Sequence, residues 1–404
     1  PRVQGLAEMM NSYGVIHNDA EVVSKIVASQ AHHKKIDGHA PGLQGKDLDT
    51  YVAAGVYSDH ECATMEDALA KLQRGQFIMI REGTAARNLE ALAPLLTPQY
   101  AERCMFCTDD KHPSDLLEKG HIDYIAREAI NNYGVDPIIA VKAACHHASR
   151  YFLLNNRGAI APGYLADFAV IDNFKDFNVE MVFKKGVLYW NNGELRDFEA
   201  PKIEEYLDKR AHDTFHVSTL TPDDFRDTRQ RGVLGMVPGE IITTDNGYAD
   251  HVDLEKDILK IAVVERHKGT HHIGLGYIQG YGLKSGAVAT SISHDSHNII
   301  VVGTNSADMA FAANYIVEHH GGIVVVENGT VKGSVVLEIA GIMSDRPLTE
   351  VNDQLEAAKD AAFTLGVSRG IDPFMTLSFM ALPVIPKLRI TTRGVVDVDT
   401  QQYV

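Results

Sequence analysis

Four short runs in the first part of the chain each stop on a side chain able to hold a metal ion. Gln4-Gly-Leu-Ala leads to Glu8, and Lys35-Ile-Asp-Gly leads to His39. Tyr57-Ser-Asp leads to His60 with Glu61 beside it, and Cys104-Met-Phe-Cys-Thr leads to Asp109 and Asp110. Each run is apolar or β-compatible, so the polar residue falls where a strand gives way to a loop. A single histidine in that position is ordinarily a hydrogen-bonded residue, and a single Glu or Asp there is ordinarily a helix cap. Four in succession point instead to a shared divalent cation of the zinc, manganese or iron type, because imidazole and carboxylate together suit such ions. His32, His33, His112, His146 and His147 lack that placement and read as helix or loop residues. Cys104-x-x-Cys107 has no second pair to complete a zinc site, and reads as two buried strand cysteines.

The elements that must position these residues follow one grammar. Asn18 or Asp19 caps a helix whose apolar face is Val22, Val23, Ile26 and Val27. Lys46 to Ala54 reads as a helix stopped by Gly55. Thr64-Met-Glu-Asp67 is a capping-box-like start for a helix over Met65–Arg74, with Gly75 just beyond it. Phe77-Ile-Met-Ile80 is the continuous apolar run of a parallel strand buried on both faces, and it ends on Arg81-Glu82-Gly83. A helix through Leu89 and Leu92 leads to the strand at Cys104–Thr108, and helical segments cover Ile122–Tyr133 and Pro137–Leu154. The order is strand–helix repeated, with polar strand ends about 20 to 30 residues apart. An open doubly wound sheet and a stretch of (β/α)₈ barrel both fit, and both place ligands at the carboxyl ends of the strands. The Gly-rich loops of a nucleotide-binding sheet are missing, and four metal-type ends favour the barrel.

Composition narrows the function. The 404 residues, 45% hydrophobic and 23% charged, are enough for two or three globular domains. A formal net charge of −16 argues against nucleic acid or anionic membrane as partner. No run approaches the roughly 20 apolar residues of a membrane span. Four cysteines are too few for a disulfide scaffold, which favours a reducing, cytoplasmic setting.

Residues 155–404 hold further elements. Arg157 to Leu195 reads as β-rich, with a hairpin of Val179–Val182 and Val187–Tyr189 around Lys185-Gly186. Phe198 to Pro222 reads as a linker with one short helix. Strands over Ile258–Val264, Ala287–Thr290, Ile299–Val302, Ile323–Glu327 and Ser334–Glu338 then alternate with helices over Ala307–His319 and Glu350–Leu365. His294-Asp-Ser-His297 falls in a loop of this part. It reads either as a locally hydrogen-bonded loop or as a contact to base or metal.

Several motifs carry a resemblance. Gly5-Leu-Ala-Glu8-Met-Met-Asn11, Asp37-Gly-His39-Ala-Pro-Gly42, Asp59-His60-Glu61, Met79-Ile-Arg81-Glu82-Gly-Thr-Ala-Ala-Arg87, Cys107-Thr-Asp109-Asp110, Ser293-His294-Asp295-Ser-His297-Asn298 and Asp372-Pro-Phe-Met-Thr-Leu-Ser-Phe resemble, in order, the bacterial-type adenine deaminases of the amidohydrolase superfamily. The resemblance implies an α/β fold, with residues 1–154 as strands four to eight of a metal-dependent (β/α)₈ hydrolase barrel. Residues 155–200 would be a small β-domain segment, and 201–404 a C-terminal α/β domain. It places barrel strands one to three and their His-x-His ligands ahead of Pro1, or on another chain. The implied activity is hydrolytic deamination of adenine to hypoxanthine and ammonia, by a metal-activated hydroxide attacking C6 at a binuclear Mn²⁺, Fe²⁺ or Zn²⁺ centre in a homo-oligomer, expected as a dimer. Metal ligands by resemblance are Glu8 (bridging), His39, His60 and Asp109, and Asp109 is also the proton shuttle. Glu61 is the candidate donor to a ring nitrogen, while Arg81, Glu82, His294, Asp295 and His297 are candidates for holding the base. Two other readings stand beside it: ring opening of a cyclic amide, and a metal-poor binding protein without catalysis.

Overall fold

Alternate side chains of the Phe77–Arg81 run join two different cores, which makes this strand the centre of the first part of the molecule. The computed structural model describes residues 3–84, 86–199, 201–237 and 241–404. The chain divides into two compact units, 1–200 and 201–404.

In the first unit, β1 (Gly5–Met9) is followed by α1 (Ser12–Ile16), α2 (Ala20–Ala31), β2 (Lys35–Gly38), α3 (Gly45–Ala53), β3 (Ser58–Asp59) and α4 (Met65–Gln73). Next come β4 (Phe77–Arg81), α5 (Leu89–Leu92), β5 (Cys104–Cys107), α6 (Pro113–Glu118), α7 (Ile122–Tyr133), α8 (Pro137–Val141) and α9 (His147–Tyr151). β1 pairs parallel with β2 at Leu6↔Ile36, and β4 pairs parallel with both β3 and β5. Tyr57 joins the two ladders, its N–H donating to Ile36 O at 2.9 Å while its carbonyl accepts from Phe77 N–H at 2.8 Å. The two parallel ladders, joined in chain order through Tyr57, therefore carry Glu8, His39, His60, Arg81 and Asp109 at or just past the carboxyl ends of their strands.

Packing fixes that edge. Ile78, Ile80, Cys104 and Phe106 are buried with Leu89, Leu92, Ile125, Ala126 and Ala129, whereas Met79 and Met105 form a separate core with Tyr151 of α9. Each large apolar side chain removed from water contributes about 1.5–3 kcal/mol, so the strands rather than their loops decide where the ends lie. Local signals agree with the sequence reading. Asp19 accepts from the N–H groups of Glu21 and Val22 at the start of α2, Thr64 accepts from Asp67 N–H at the start of α4, and Gly75 takes a positive φ just past α4. The segment expected as one helix over Pro137–Leu154 is instead α8, a π-helical stretch at Lys142–His146, and α9. α6 is a single short element with Pro113 in its first turn, too brief for a periodic signal. Cys104 is buried and Cys107 half-buried, and both are free thiols. The unit ends in an antiparallel meander of β6 (Phe168–Ile171), β7 (Val179–Lys184), β8 (Val187–Asn191) and β9 (Glu194–Leu195), with the expected hairpin turn at Lys185-Gly186.

The second unit begins with α10 (Glu205–His212), β10 (Arg231–Met236), β11 (Thr243–Ala249), β12 (Ile258–Val264), β13 (Ile273–Gln279), β14 (Ala287–Thr290) and β15 (Ile299–Gly303). It continues through α11 (Ser306–Glu318), β16 (Gly322–Glu327), β17 (Thr330–Val336), α12 (Leu348–Thr364) and α13 (Pro373–Phe379), and closes with β18 (Leu388–Thr391), β19 (Gly394–Asp397) and β20 (Gln402–Tyr403). Eight strands form one sheet in the order β11-β10-β13-β12-β15-β14-β16-β17, antiparallel except where β10 meets β13. Met309, Ala312, Ala313 and Ile316 of α11 share a core with Val264, Val301 and Val324 of that sheet. The strand expected at Ser334–Glu338 begins earlier, at Thr330, because Asn328 and Gly329 both adopt positive φ and make a two-residue hairpin turn. No helix among the described residues is long and apolar enough to cross a membrane.

Candidate metal centre

His39 and His60 sit one step beyond β2 and β3, Glu8 lies near the end of β1 and Asp109 two residues past β5, and side chains from the following segments hold several of these strand ends. Tyr51 of α3 is fully buried. Its hydroxyl donates to Met9 O at 2.6 Å and accepts from His39 N–H at 2.9 Å, tying the ends of β1 and β2 together. Asn88, just before α5, donates to His60 O and Cys62 O and accepts from Arg81 N–H at 2.7 Å, tying the ends of β3 and β4. Asp59, the last residue of β3, pairs with Lys71 of α4 behind them. Sequence reading missed Tyr51, Asn88 and Lys71. Each acts on at least one strand end a dozen or more residues from it, and no local pattern records that.

The side chains converge. Glu8 Oε2 lies 2.9 Å from His60 Nε2, and Glu8 Oε1 lies 3.5 Å from His39 Nδ1. Glu61 Oε1 lies 3.6 Å from His39 Nδ1 and 3.5 Å from His60 Nε2. The two imidazoles stand edge to face with centroids 5.4 Å apart. Ligand atoms of Glu8, His39 and His60 fall within 4.8 Å of one another, as do those of His60, Glu61 and Asp109. Nη1 of Arg81 donates to both Glu61 and Asp109, joining the two carboxylates.

Electrostatics divide the histidines. Burial pushes the His60 imidazolium down. Its hydrogen bond to Glu8 and the charges of Glu8, Glu61 and Asp109 more than reverse this, raising it to about 9. At His39 burial prevails over Glu61 and Glu8, and the pKa falls below the usual imidazole range. Burial raises the Asp109 carboxyl despite the opposing charge of Arg81. His39 Nδ1 is buried and makes no hydrogen bond, an arrangement that costs about 1–3 kcal/mol for a buried polar group. A divalent cation fits this set. It would take the imidazole nitrogen that makes no hydrogen bond, and it would offset the carboxylates of Glu8, Glu61 and Asp109, of which Arg81 pairs with the last two.

The remaining candidates make other contacts. Glu82 accepts from Leu89 N–H at 3.2 Å, at the amino end of α5. His294, Asp295 and His297 belong to the second unit, in the loop between β14 and β15. His294 stacks on Phe379 with centroids 5.4 Å apart and its ring contacts Asp295, while His297 O accepts from the buried guanidinium of Arg266. His267 and Ser296 O are 2.7 Å apart, and His271 lies on the surface between Ser218 and Asp224.

Comparison with known proteins places this geometry in a lineage. Residues 3–189 match the Amidohydrolase family, and residues 240–402 match the Adenine deaminase C-terminal domain. An adenine deaminase of Desulfatibacillum aliphaticivorans is 45% identical over 412 residues, an alignment spanning 100% of this chain and 72% of that protein. One from Nitratidesulfovibrio vulgaris strain DP4 is 44% identical over 417 residues, spanning 100% of this chain and 71% of that one. One from Kosmotoga olearia is 43% identical over 422 residues, with 100% and 71% spanned. With both family matches in order and such identity along its whole length, the chain belongs to the adenine deaminase family of amidohydrolases.

Proposed function

We infer that this chain catalyses the hydrolytic deamination of adenine to hypoxanthine and ammonia, with Glu8, His39, His60 and Asp109 holding divalent metal. The observation that carries the reading is the convergence of His39, His60, Glu8, Glu61 and Asp109 in two ligand groups that share His60, with His39 Nδ1 making no hydrogen bond, in a chain of this family. Two parallel ladders, β1-β2 and β3-β4-β5, follow one another in chain order through Tyr57 with polar residues at their carboxyl ends, and this supports strands four to eight of a (β/α)₈ barrel. Glu8 turns one oxygen to each histidine and His60 belongs to both ligand groups, so Glu8, His39, His60 and Asp109 would hold a binuclear centre in which Glu8 would be the shared carboxylate, with Mn²⁺ or Fe²⁺ as candidates.

A divalent cation held here supplies water whose pKa is about 7 rather than 15.7. The water oxygen forms a bond to C6 of adenine, and the C6–N6 bond breaks. Of the two water protons, one ends on the leaving ammonia and one on the ring nitrogen beside C6. Asp109 carries the first: it sits at the open side of the cluster, and its burial makes it a better base than an ordinary carboxylate. Glu61 carries the second, held beside Asp109 by the same Arg81 nitrogen. Arg81 therefore sets the spacing of the two proton carriers. The loop of His294, Asp295 and His297 is kept as a candidate for holding the base, together with Glu82.

The test is the change in absorbance from adenine to hypoxanthine, using the full chain stripped with chelator and reloaded with Mn²⁺ or Fe²⁺. Turnover restored by metal is expected. Adenine left untouched while a dihydropyrimidine or hydantoin ring is opened would transfer the activity to a cyclic amide.

A further inference from the structure

Behind the cluster lies a buried ion pair that the chemistry above does not use. Asp59 and Lys71 have fully buried side chains 3.1 Å apart. The contacts of Asp59 follow a pattern. Its Oδ1 accepts from the N–H of Ala40 at 2.7 Å, the peptide immediately after His39. Its Oδ2 accepts from the N–H of Glu61 at 3.0 Å, the peptide immediately after His60. One carboxylate thus grips the backbone next to both histidines. Lys71 closes the arrangement from α4: Nζ donates to Ala40 O at 2.7 Å, to Asp67 at 2.9 Å and to Asp59, which uses all three protons of the ammonium. Of the two peptide units flanking Ala40, the one before it is held at its N–H by the anion and the one after it at its C=O by the cation.

A buried ion pair is weak evidence for stability, since an apolar pair of similar volume often serves as well. What an apolar pair cannot do is accept two peptide N–H groups from two different strand ends. Resting on the reading that His39 and His60 hold metal, we propose that Asp59 and Lys71 are positioning residues. They fix the spacing of the two imidazoles and of Glu61, so that the site is formed before metal arrives. Asp67 supplies the control. It contacts Lys71 from the same helix, four residues away, and accepts no hydrogen bond from the segments after His39 or His60.

The experiment measures the Mn²⁺ dissociation constant of the full chain, stripped of metal, from the paramagnetic resonance signal of free Mn²⁺. Wild type is compared with Asp59→Asn, Asp59→Asn/Lys71→Met and Asp67→Asn, with thermal unfolding of each recorded beside it. Loss of such outer hydrogen bonds typically weakens metal binding about 10–100-fold. That loss is expected for Asp59→Asn, whose amide can accept only one of the two N–H groups, and for the double variant. Asp67→Asn should bind as wild type does. Should the Lys71 variant not fold, the isosteric Asp59→Asn decides. Wild-type affinity in Asp59→Asn, or an equal weakening in Asp67→Asn, would overturn the positioning role. Wild type binding Mn²⁺ no better than His39→Ala/His60→Ala is a separate result, and it would remove the metal reading itself.

Discussion

Asp109 stands where two demands on one carboxylate meet. Its Oδ2 is held by Arg81, yet its side chain is 35% exposed, far more open than Glu61 or the two histidines. A group at the open side of the cluster that also touches the metal residues suits proton transfer, typically worth about 10²–10⁴-fold in rate. Asp109→Asn keeps an oxygen for metal but cannot take a proton, so turnover should fall by about that factor while bound metal per chain stays the same. Metal loss in step with activity would reduce Asp109 to a ligand. The residues at this edge were legible because strand and loop alternate so regularly that Glu8, His39, His60 and Asp109 could be aligned by spacing alone. Their supports were not. Tyr51, Lys71 and Asn88 reach across the sheet edge to backbone atoms 42, 31 and 28 residues away respectively, and sequence spacing carries no record of a contact to a carbonyl.

At the scale of elements, legibility followed side-chain pattern. β12, β14 and β15 are almost wholly buried runs without an internal glycine and lie where the sequence places them. β10 and β13 were missed because glycine breaks their pattern, and the structure shows why glycine is there. A Cβ on Gly274 would lie 1.8 Å from Thr391 O, and one on Gly276 would lie 2.4 Å from Val395, so the β18–β19 ribbon packs directly on the bare face of β13. Gly274→Ala should therefore destabilise by about 2 kcal/mol or more in denaturant unfolding, at or above the middle of the usual overpacking range. Gly370→Ala, whose nearest neighbour would be Ser368 Oγ at 3.7 Å, should stay within about 0.5 kcal/mol. Equal losses at the two positions would mean that chain flexibility, not the ribbon contact, sets the cost. The start of β10 depends on charge instead. Asp227 accepts from Arg229 and Arg231, and although burial opposes it, these bonds hold its carboxyl well below the ordinary range. A carboxylate depressed on folding stabilises above its unfolded pKa of about 3.9 and loses that contribution as pH falls through the folded value. Wild type should thus be more stable than Asp227→Asn at pH 7. The gap should narrow as pH drops below about 4, and a gap that widens in acid would contradict the assignment.

At the scale of the whole molecule, the chain carries 54 acidic against 38 basic residues, a formal net charge of −16. Any divalent cation will gather loosely around such a surface, so stabilisation by metal needs an argument that separates the site from the general field. Salt supplies one part, since at physiological ionic strength exposed charges are screened beyond about 8 Å, whereas ligands within 4.8 Å of one another are not. Ligand chemistry supplies the other. Mg²⁺ prefers oxygen and keeps its waters, while imidazole favours zinc, iron and their neighbours. A ligand that binds only the folded state at 100 times its dissociation constant stabilises by about 2.7 kcal/mol. For a cooperative unit of 200 residues this is about 5–10 °C in melting temperature. In 0.15 M salt, Mn²⁺ should raise the midpoint by about that amount, chelator should remove the rise, and Mg²⁺ at the same concentration should produce little of it. His39→Ala/His60→Ala should melt at one temperature with or without Mn²⁺. A rise that survives in that variant would mean the stabilising cation sits elsewhere on the acidic surface, and the two strand-end histidines would lose their claim to it.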